Sequence, residues 1–384
     1  MLKYLKYFLP GIYGIIAIKI FLLGQHFPTF YLLIFSLSII LGDVFFGRDK
    51  EVQKFSYPFF LNLSLYINLP ILFCLVFLVV SFFSTNIPLW YIDNINSIFN
   101  IDFNQVKNSF NIFDKFSLIA QTGLFIGMIG IIPGHELTHR KKNKFDMFIG
   151  NWLLAFSWDC TFSIEHVYGH HKYVCTPEDP ASAKRGENIY LFIVKAIFNE
   201  QISGWNIESK RLKRRGDYFF SIHNKMIIGH LRCICILLIF YYLFGFIGVL
   251  FFLLLAFIGK SLLETINYIE HYGLVREKDM PVFNKHSWNS NHTFSSFLLF
   301  NLTRHSDHHR APNLKFWELN PNFKSAPTLP YGYLSMIYLL LFAPFLYHRI
   351  MAKKLIDWDL NYADEKEKEL ASIQNANSGI SSLI

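Results

Sequence analysis

The chain has 384 residues, of which 52% are hydrophobic and only 17% charged, and its net charge is +8. A soluble domain carries about 25% charged residues, so the apolar excess has to face lipid, and a water-soluble globule is excluded. The positive charge suits membrane orientation and anionic lipid, not nucleic acid, because there is no Arg-rich arm and no aromatic RNA-binding pattern.

Six apolar stretches approach or complete a crossing of the bilayer, at roughly 8–24, 28–46, 59–83, 117–135, 226–244 and 246–267; a crossing takes about 20 residues. Lys3 and Lys6 precede the first, with no small-residue cleavage site after it, which reads as a retained helix and not a signal peptide. Gly24, Gln25 and Pro28 predict a tight turn between the first two stretches, and Phe244, Gly245 and Gly248 another between the last two. Period-two alternation is absent, so the spans are helices and the expected fold is all-α and polytopic.

Lys and Arg set the orientation. Arg48, Lys50 and Lys54 follow the second stretch, Arg140, Lys141, Lys142 and Lys144 the fourth, and Lys210, Arg211, Lys213, Arg214 and Arg215 precede the fifth. The 84–116 loop carries only Lys107 and Lys115 among several Asp and Asn. Positive segments stay on the cytoplasmic side, so the basic loops and both termini are expected inside and 84–116 outside. Two more apolar stretches, 146–163 and 329–349, are expected as a buried or re-entrant helix and as a helix lying against the cytoplasmic face. Residues 1–350 then form the membrane-embedded domain, and 351–384 a polar tail that starts as a solvated helix and is partly disordered.

The five cysteines, Cys74, Cys160, Cys175, Cys233 and Cys235, contain no C-x-x-C pair. That speaks against a disulfide framework, a structural zinc site and a fused iron–sulfur domain. The chemistry lies in histidine. Nine of fifteen fall into four clusters at the ends of apolar stretches: His135 and His139; His166, His170 and His171; His271; and His305, His308 and His309. Ionisable groups at membrane depth are functional candidates by default, and imidazole is the commonest transition-metal ligand. His135/His139 and His166/His170 are i,i+4 pairs, about 5–6 Å apart at Cβ on one helix face. His171 points about 100° away from His170 on an ideal helix, so those two serve different ions, or the helix ends there.

One transition ion takes roughly four to six ligands. Nine imidazoles are too many for one ion and about right for two. Sharing a site requires 146–163 not to cross the membrane, since a crossing would separate His135 from His166 by about 30 Å. Glu136, Glu165, Glu270 and Asp307 adjoin the clusters and are candidates to accept the outer imidazole N–H, with bridging or direct ligation also open to them. Asp179 and Glu187 are balanced between such a role and simple loop capping, and His286 and His292 between ligand and structure. His26, His223, His230 and His348 read as packing or surface residues. H-E-x-x-H over 135–139 is also the zinc-protease pattern, with Glu136 as general base, but a zinc hydrolase needs only three protein ligands and would leave about six clustered histidines idle.

The motifs His135-Glu136-Leu137-Thr138-His139, Glu165-His166-x-x-Gly169-His170-His171, Asn267-Tyr268-x-Glu270-His271-Tyr272-Gly273 and Arg304-His305-Ser306-Asp307-His308-His309 occur in that order. Segments 176–183, 286–290 and 329–333 accompany them. Together they resemble the integral-membrane alkane monooxygenase (alkane hydroxylase) family of the membrane fatty-acid desaturase and hydroxylase superfamily, over about residues 30–350. The isolated His271 box favours alkane hydroxylases over desaturases. Arg140 stands where that family commonly has Lys, and Thr303 where it often has Gln.

The resemblance implies a non-haem di-iron centre facing the cytoplasm from a bacterial inner membrane, held by the nine clustered histidines. It implies O2 as co-substrate, an alkane drawn from the bilayer and hydroxylated at its terminal carbon, and electrons from rubredoxin (or ferredoxin) with its reductase. The chain itself shows no flavin, NAD or haem motif. A small acidic carrier would suit the basic cytoplasmic face through long-range steering. Another reaction of the superfamily, such as desaturation or hydroxylation of a lipid or an aromatic methyl group, is the first alternative. A non-redox metalloprotein, a zinc protease or metal transporter, is the second.

Overall fold

The computed structural model describes residues 2–383. Among them all regular structure is helical, and the only β pairings are isolated bridges, Arg48 with His292 and Asn289 with Thr328. Among the described residues five helices are long and apolar enough to cross a membrane. In chain order the first four are α1 (Lys3–Phe21), α2 (Phe27–Phe45), α3 (Pro58–Phe83) and α4 (Ile112–His139). Next come α5 (Lys144–Ala155) and α6 (Ile189–Arg215), and the fifth apolar helix is α7 (Lys225–His271). Gly245 sits inside α7 at φ 66° and ψ −166°, a backbone no helix contains and only glycine adopts without strain. The six apolar segments expected from the sequence are therefore present as five helices, with the fifth broken into two runs at Gly245.

The chain forms two compact units: Met1–Ser38, Tyr57–Cys160 and Ile227–Leu262 make the first, and Ile39–Ser56, Thr161–Met226 and Leu263–Ile384 the second. In the first unit α4 starts at an Asn111 cap closed by Asp114. It passes through a π-helical stretch at Ile126–Ile131 just before Pro133, which has no N–H to continue the ladder. Asn143 caps α5 through the Phe145 and Asp146 amides. At 12 residues, about 18 Å by helix rise, α5 is too short to cross a bilayer. It packs tightly on the end of α4 through two facing glycines. A Cβ on Gly134 would lie 3.1 Å from the Gly150 carbonyl oxygen, and one on Gly150 would lie 3.1 Å from the Gly134 oxygen. The stretch expected over 146–163 is thus a short, half-buried helix ending at Ala155 that packs on the His135–His139 turn.

In the second unit α6 runs from an Asn188 cap to Gly216 at φ 75°. Among the described residues five further α-helices follow α7, after a short 3-10 turn at Asn284–His286: α8 (Thr293–Leu298), α9 (His305–Arg310), α10 (Tyr333–Phe342), α11 (Pro344–Asn361) and α12 (Glu365–Asn377). The single helix expected over 329–349 is two, because the chain leaves helical geometry at Ala343 (φ −143°, ψ 57°) and Pro344 starts the next. The tail begins as a helix: α12 is capped by Asp364, buries Glu367 and Ala371, and is tied to buried Arg185, which donates to Asp359 and Asn375 and whose amide donates to Gln374. Its composition is hydrophilic because polar bonds, not an apolar face, hold it.

Candidate metal centre

The segment after residue 161 is where local backbone decides the chemistry. It is α-helical over Phe162–Glu165, π-helical over His166–His170 and α-helical again over His171–Tyr173. A π turn closes i to i+5, so His166 faces His171, not His170: their Nε2 atoms are 3.1 Å apart. An ideal-helix reading pairs His166 with His170 and misses this, because the extra residue in the turn leaves no periodicity to read.

Seven of the nine clustered histidines lie in the second unit and fall into two groups. His170, His271, His305 and His309, all buried, each offer a ring nitrogen within 4.8 Å of the others. His166, His171 and His308 do the same. The groups adjoin, with the His171 and His309 rings 4.4 Å apart at their centroids. His170 and His171, neighbours in sequence, belong to different groups. His135 and His139 lie in the first unit at the end of α4, with ring centroids 4.9 Å apart, the one-face pair that i,i+4 spacing requires.

Hydrogen bonding alone does not account for the four-histidine group. His305 Nε2 is approached by His271 Nε2 at 3.2 Å, His309 Nε2 at 2.9 Å and the Glu270 carboxylate at 3.1 Å. One ring nitrogen carries one proton or one lone pair and cannot satisfy all three. Metal–imidazole bonds of about 2.0–2.1 Å bring neighbouring donors to about 3 Å of each other, which is this spacing. Buried His170 Nε2 has no hydrogen-bond partner, while its Nδ1 meets Asp179 at 2.9 Å, the division of labour found in metal-bound imidazoles. The donor set therefore fits a transition ion. Burial pushes the His308 pKa down to about 3 and that of His309 well below the ordinary imidazole value, the latter helped by neighbouring histidines. Both rings are thus neutral, the form that binds metal.

The acids sort themselves by partner. Asp179 accepts from the His170 Nδ1–H at 2.9 Å, both groups being buried. Asp179 also accepts from Ser182 and the Ala181 amide, so it holds the loop and the imidazole together. Glu270 accepts from the Tyr333 hydroxyl at 2.8 Å while its other oxygen faces His305. Glu165 accepts from Ser203, and with Glu200 and Asn267 lines a small cavity beside His166 and His170. Glu136 pairs with Arg140, which goes on to Asn62 and Asp146. Asp307, expected beside an imidazole, instead accepts from Arg310, Asn320 and Asn322 and fixes the loop after α9. Glu187 bonds Lys195 and the Lys184 amide near the surface. Thr303 is buried and shares a 2.6 Å hydrogen bond with Ser296.

Three residues given no role in the sequence support the surroundings of this centre. Tyr333 holds Glu270, Cys175 donates to the His286 carbonyl, and Glu367 accepts from the His286 ring. Tyr333 falls in the 329–333 family-like segment, which was the available signal; nothing in the sequence marks Glu367.

A model of the fatty acid desaturase family matches residues 116–340. Alkane 1-monooxygenase 1 of Pseudomonas aeruginosa is 38% identical over 242 residues, 62% of this chain and 63% of that protein. Alkane 1-monooxygenase of Acinetobacter baylyi is 38% identical over 305 residues, 75% and 70% of the two chains. The xylene/toluene monooxygenase hydroxylase component XylM of Pseudomonas putida is 30% identical over 347 residues, 89% and 86%. The match to the first of these thus spans under two thirds of its length.

Proposed function

Because the chain belongs to the fatty acid desaturase family, we propose that it is a non-haem di-iron monooxygenase that hydroxylates the terminal carbon of an alkane. The observation that carries this reading is the convergence of seven imidazoles into two adjoining groups of four and three. His135 and His139, a one-face pair at the end of α4, count as ligands in this reading because the family resemblance implies all nine clustered histidines. The nine histidines then hold two ions. The apolar spans make an integral membrane protein; the Lys and Arg distribution supports a cytoplasmic orientation of the histidine-bearing loops, and the family resemblance supports a bacterial inner membrane.

When bound, two iron ions supply the redox chemistry that takes O2, two electrons and two protons and leaves one oxygen in the C–H bond and the other in water. The chain's own residues supply placement. Asp179 fixes the His170 tautomer so that Nε2 presents a lone pair. Tyr333 orients Glu270 against His305. An alkane offers no polar handle, so binding has to be apolar and the work lies in positioning the methyl group. The electrons come from rubredoxin, or a ferredoxin, with its reductase, docking on the basic face. Greater coverage by XylM favours hydroxylation of an aromatic methyl group as the second reading.

Purified chain in lipid nanodiscs, given O2, reduced rubredoxin and either a series of n-alkanes or toluene, separates the readings by mass spectrometry. Primary alcohols from alkanes are expected. Benzyl alcohol alone would favour the second reading, and unsaturated product would contradict both.

A further inference from the structure

Helix α12 lies beyond residue 340, where the family match ends, yet it reaches His286, whose carbonyl lies beside His271. Glu367 is buried on its first turn, and one carboxylate oxygen lies 2.8 Å from His286 Nε2. The His286 tautomer follows from its other nitrogen. Nδ1 receives the Phe283 amide N–H at 3.0 Å, so Nδ1 carries the lone pair and Nε2 the proton. Nε2–H therefore donates to Glu367. The same reasoning continues one residue inward. The His286 carbonyl can only accept, and His271 Nδ1 lies 3.2 Å from it, so His271 carries its proton on Nδ1 and turns the Nε2 lone pair toward His305 and His309. Cys175 donates to the same carbonyl at 3.0 Å.

We propose that Glu367 is a positioning residue for the metal centre, holding the His286 ring so that the His286 carbonyl fixes the tautomer and direction of His271. This rests on the di-iron reading above. Two neighbours reinforce the link: Lys285 contacts Glu367, and Trp358 Nε1 donates to the Lys285 carbonyl at 2.7 Å. The C-terminal helix is thus a brace for one ion's ligand set. Outer partners of metal-bound imidazoles are worth about 10- to 100-fold in affinity, which makes the brace measurable.

The test uses the full chain in nanodiscs, loaded with ferrous iron, and reads metal per chain, release to a chelator and the near-infrared ligand-field bands of the ferrous centre. Glu367→Ala is expected to release iron from one of two sites at least about tenfold faster and to shift the bands. Glu367→Gln, whose amide oxygen still accepts from His286, is expected to restore both. Asp364→Ala removes the α12 cap and a Lys285 contact without touching His286, and is expected to keep wild-type iron. His286→Phe leaves α12 intact and is expected to lose the same iron, so the proposal stays testable if Glu367→Ala does not fold. Wild-type iron and bands in Glu367→Ala or His286→Phe would overturn the brace, as would equal losses in Asp364→Ala. A wild-type chain that binds no iron would overturn the di-iron reading itself, a failure visible before any variant is made.

Discussion

His170 shows how much of the chemistry is settled by single contacts. Its Nδ1 is engaged by a buried aspartate and its buried Nε2 by nothing in the protein, so the ring is oriented, tautomerically fixed and left with one lone pair to give. Asp179→Asn keeps an acceptor for Nδ1–H but loses the charge that makes that bond strong. It is expected to lower iron affinity by about 10- to 100-fold in a chelator competition, and unchanged affinity would assign Asp179 to the loop alone. At this scale the sequence was informative about where the histidines gather and poor about what supports them. The four histidine boxes announce themselves by crowding. Asp307, next to His308, turned away to its own loop, whereas Glu367, distant in sequence, turned inward to His286. Sequence adjacency says nothing about which way a carboxylate points.

At the scale of elements, the site depends on departures from the ideal helix. The π turn at His166–His170 sends His170 and His171 to different groups. The facing glycines of α4 and α5 hold the His135–His139 turn against a short helix. A second element, the start of α7, is pinned by Glu208 of α6. Its carboxylate accepts from Arg211 and from the Lys225 amide, and these bonds outweigh burial and lower its pKa. A depressed carboxylate contributes stability that is present above the unfolded value of about 4.3 and lost as pH falls through the folded one. The thermal midpoint is therefore expected to drop on acidification below about pH 4, with a flatter profile in Glu208→Gln; identical profiles would remove Glu208 from the account. Helix existence was legible because apolar runs of about 20 residues have few other fates. The π turns were not, since an inserted residue leaves no compositional trace, and neither were the polar bonds that hold α12.

For the molecule as a whole, composition alone required a bilayer, and the apolar helices together with the family match make the chain an integral membrane protein. The motif order carried the family, while the division into two compact units, each assembled from separated stretches, has no signal along the chain. The histidines come from stretches as far apart as 135 and 309, so each ion bound would stabilise the fold through every stretch that ligates it. The central claim is that nine imidazoles hold a redox-active pair of ions. Metal analysis of the purified chain, paired with Mössbauer spectroscopy of iron-57-grown material, tests it most directly. The account predicts two irons per chain, magnetically coupled; one zinc per chain and no iron would contradict it.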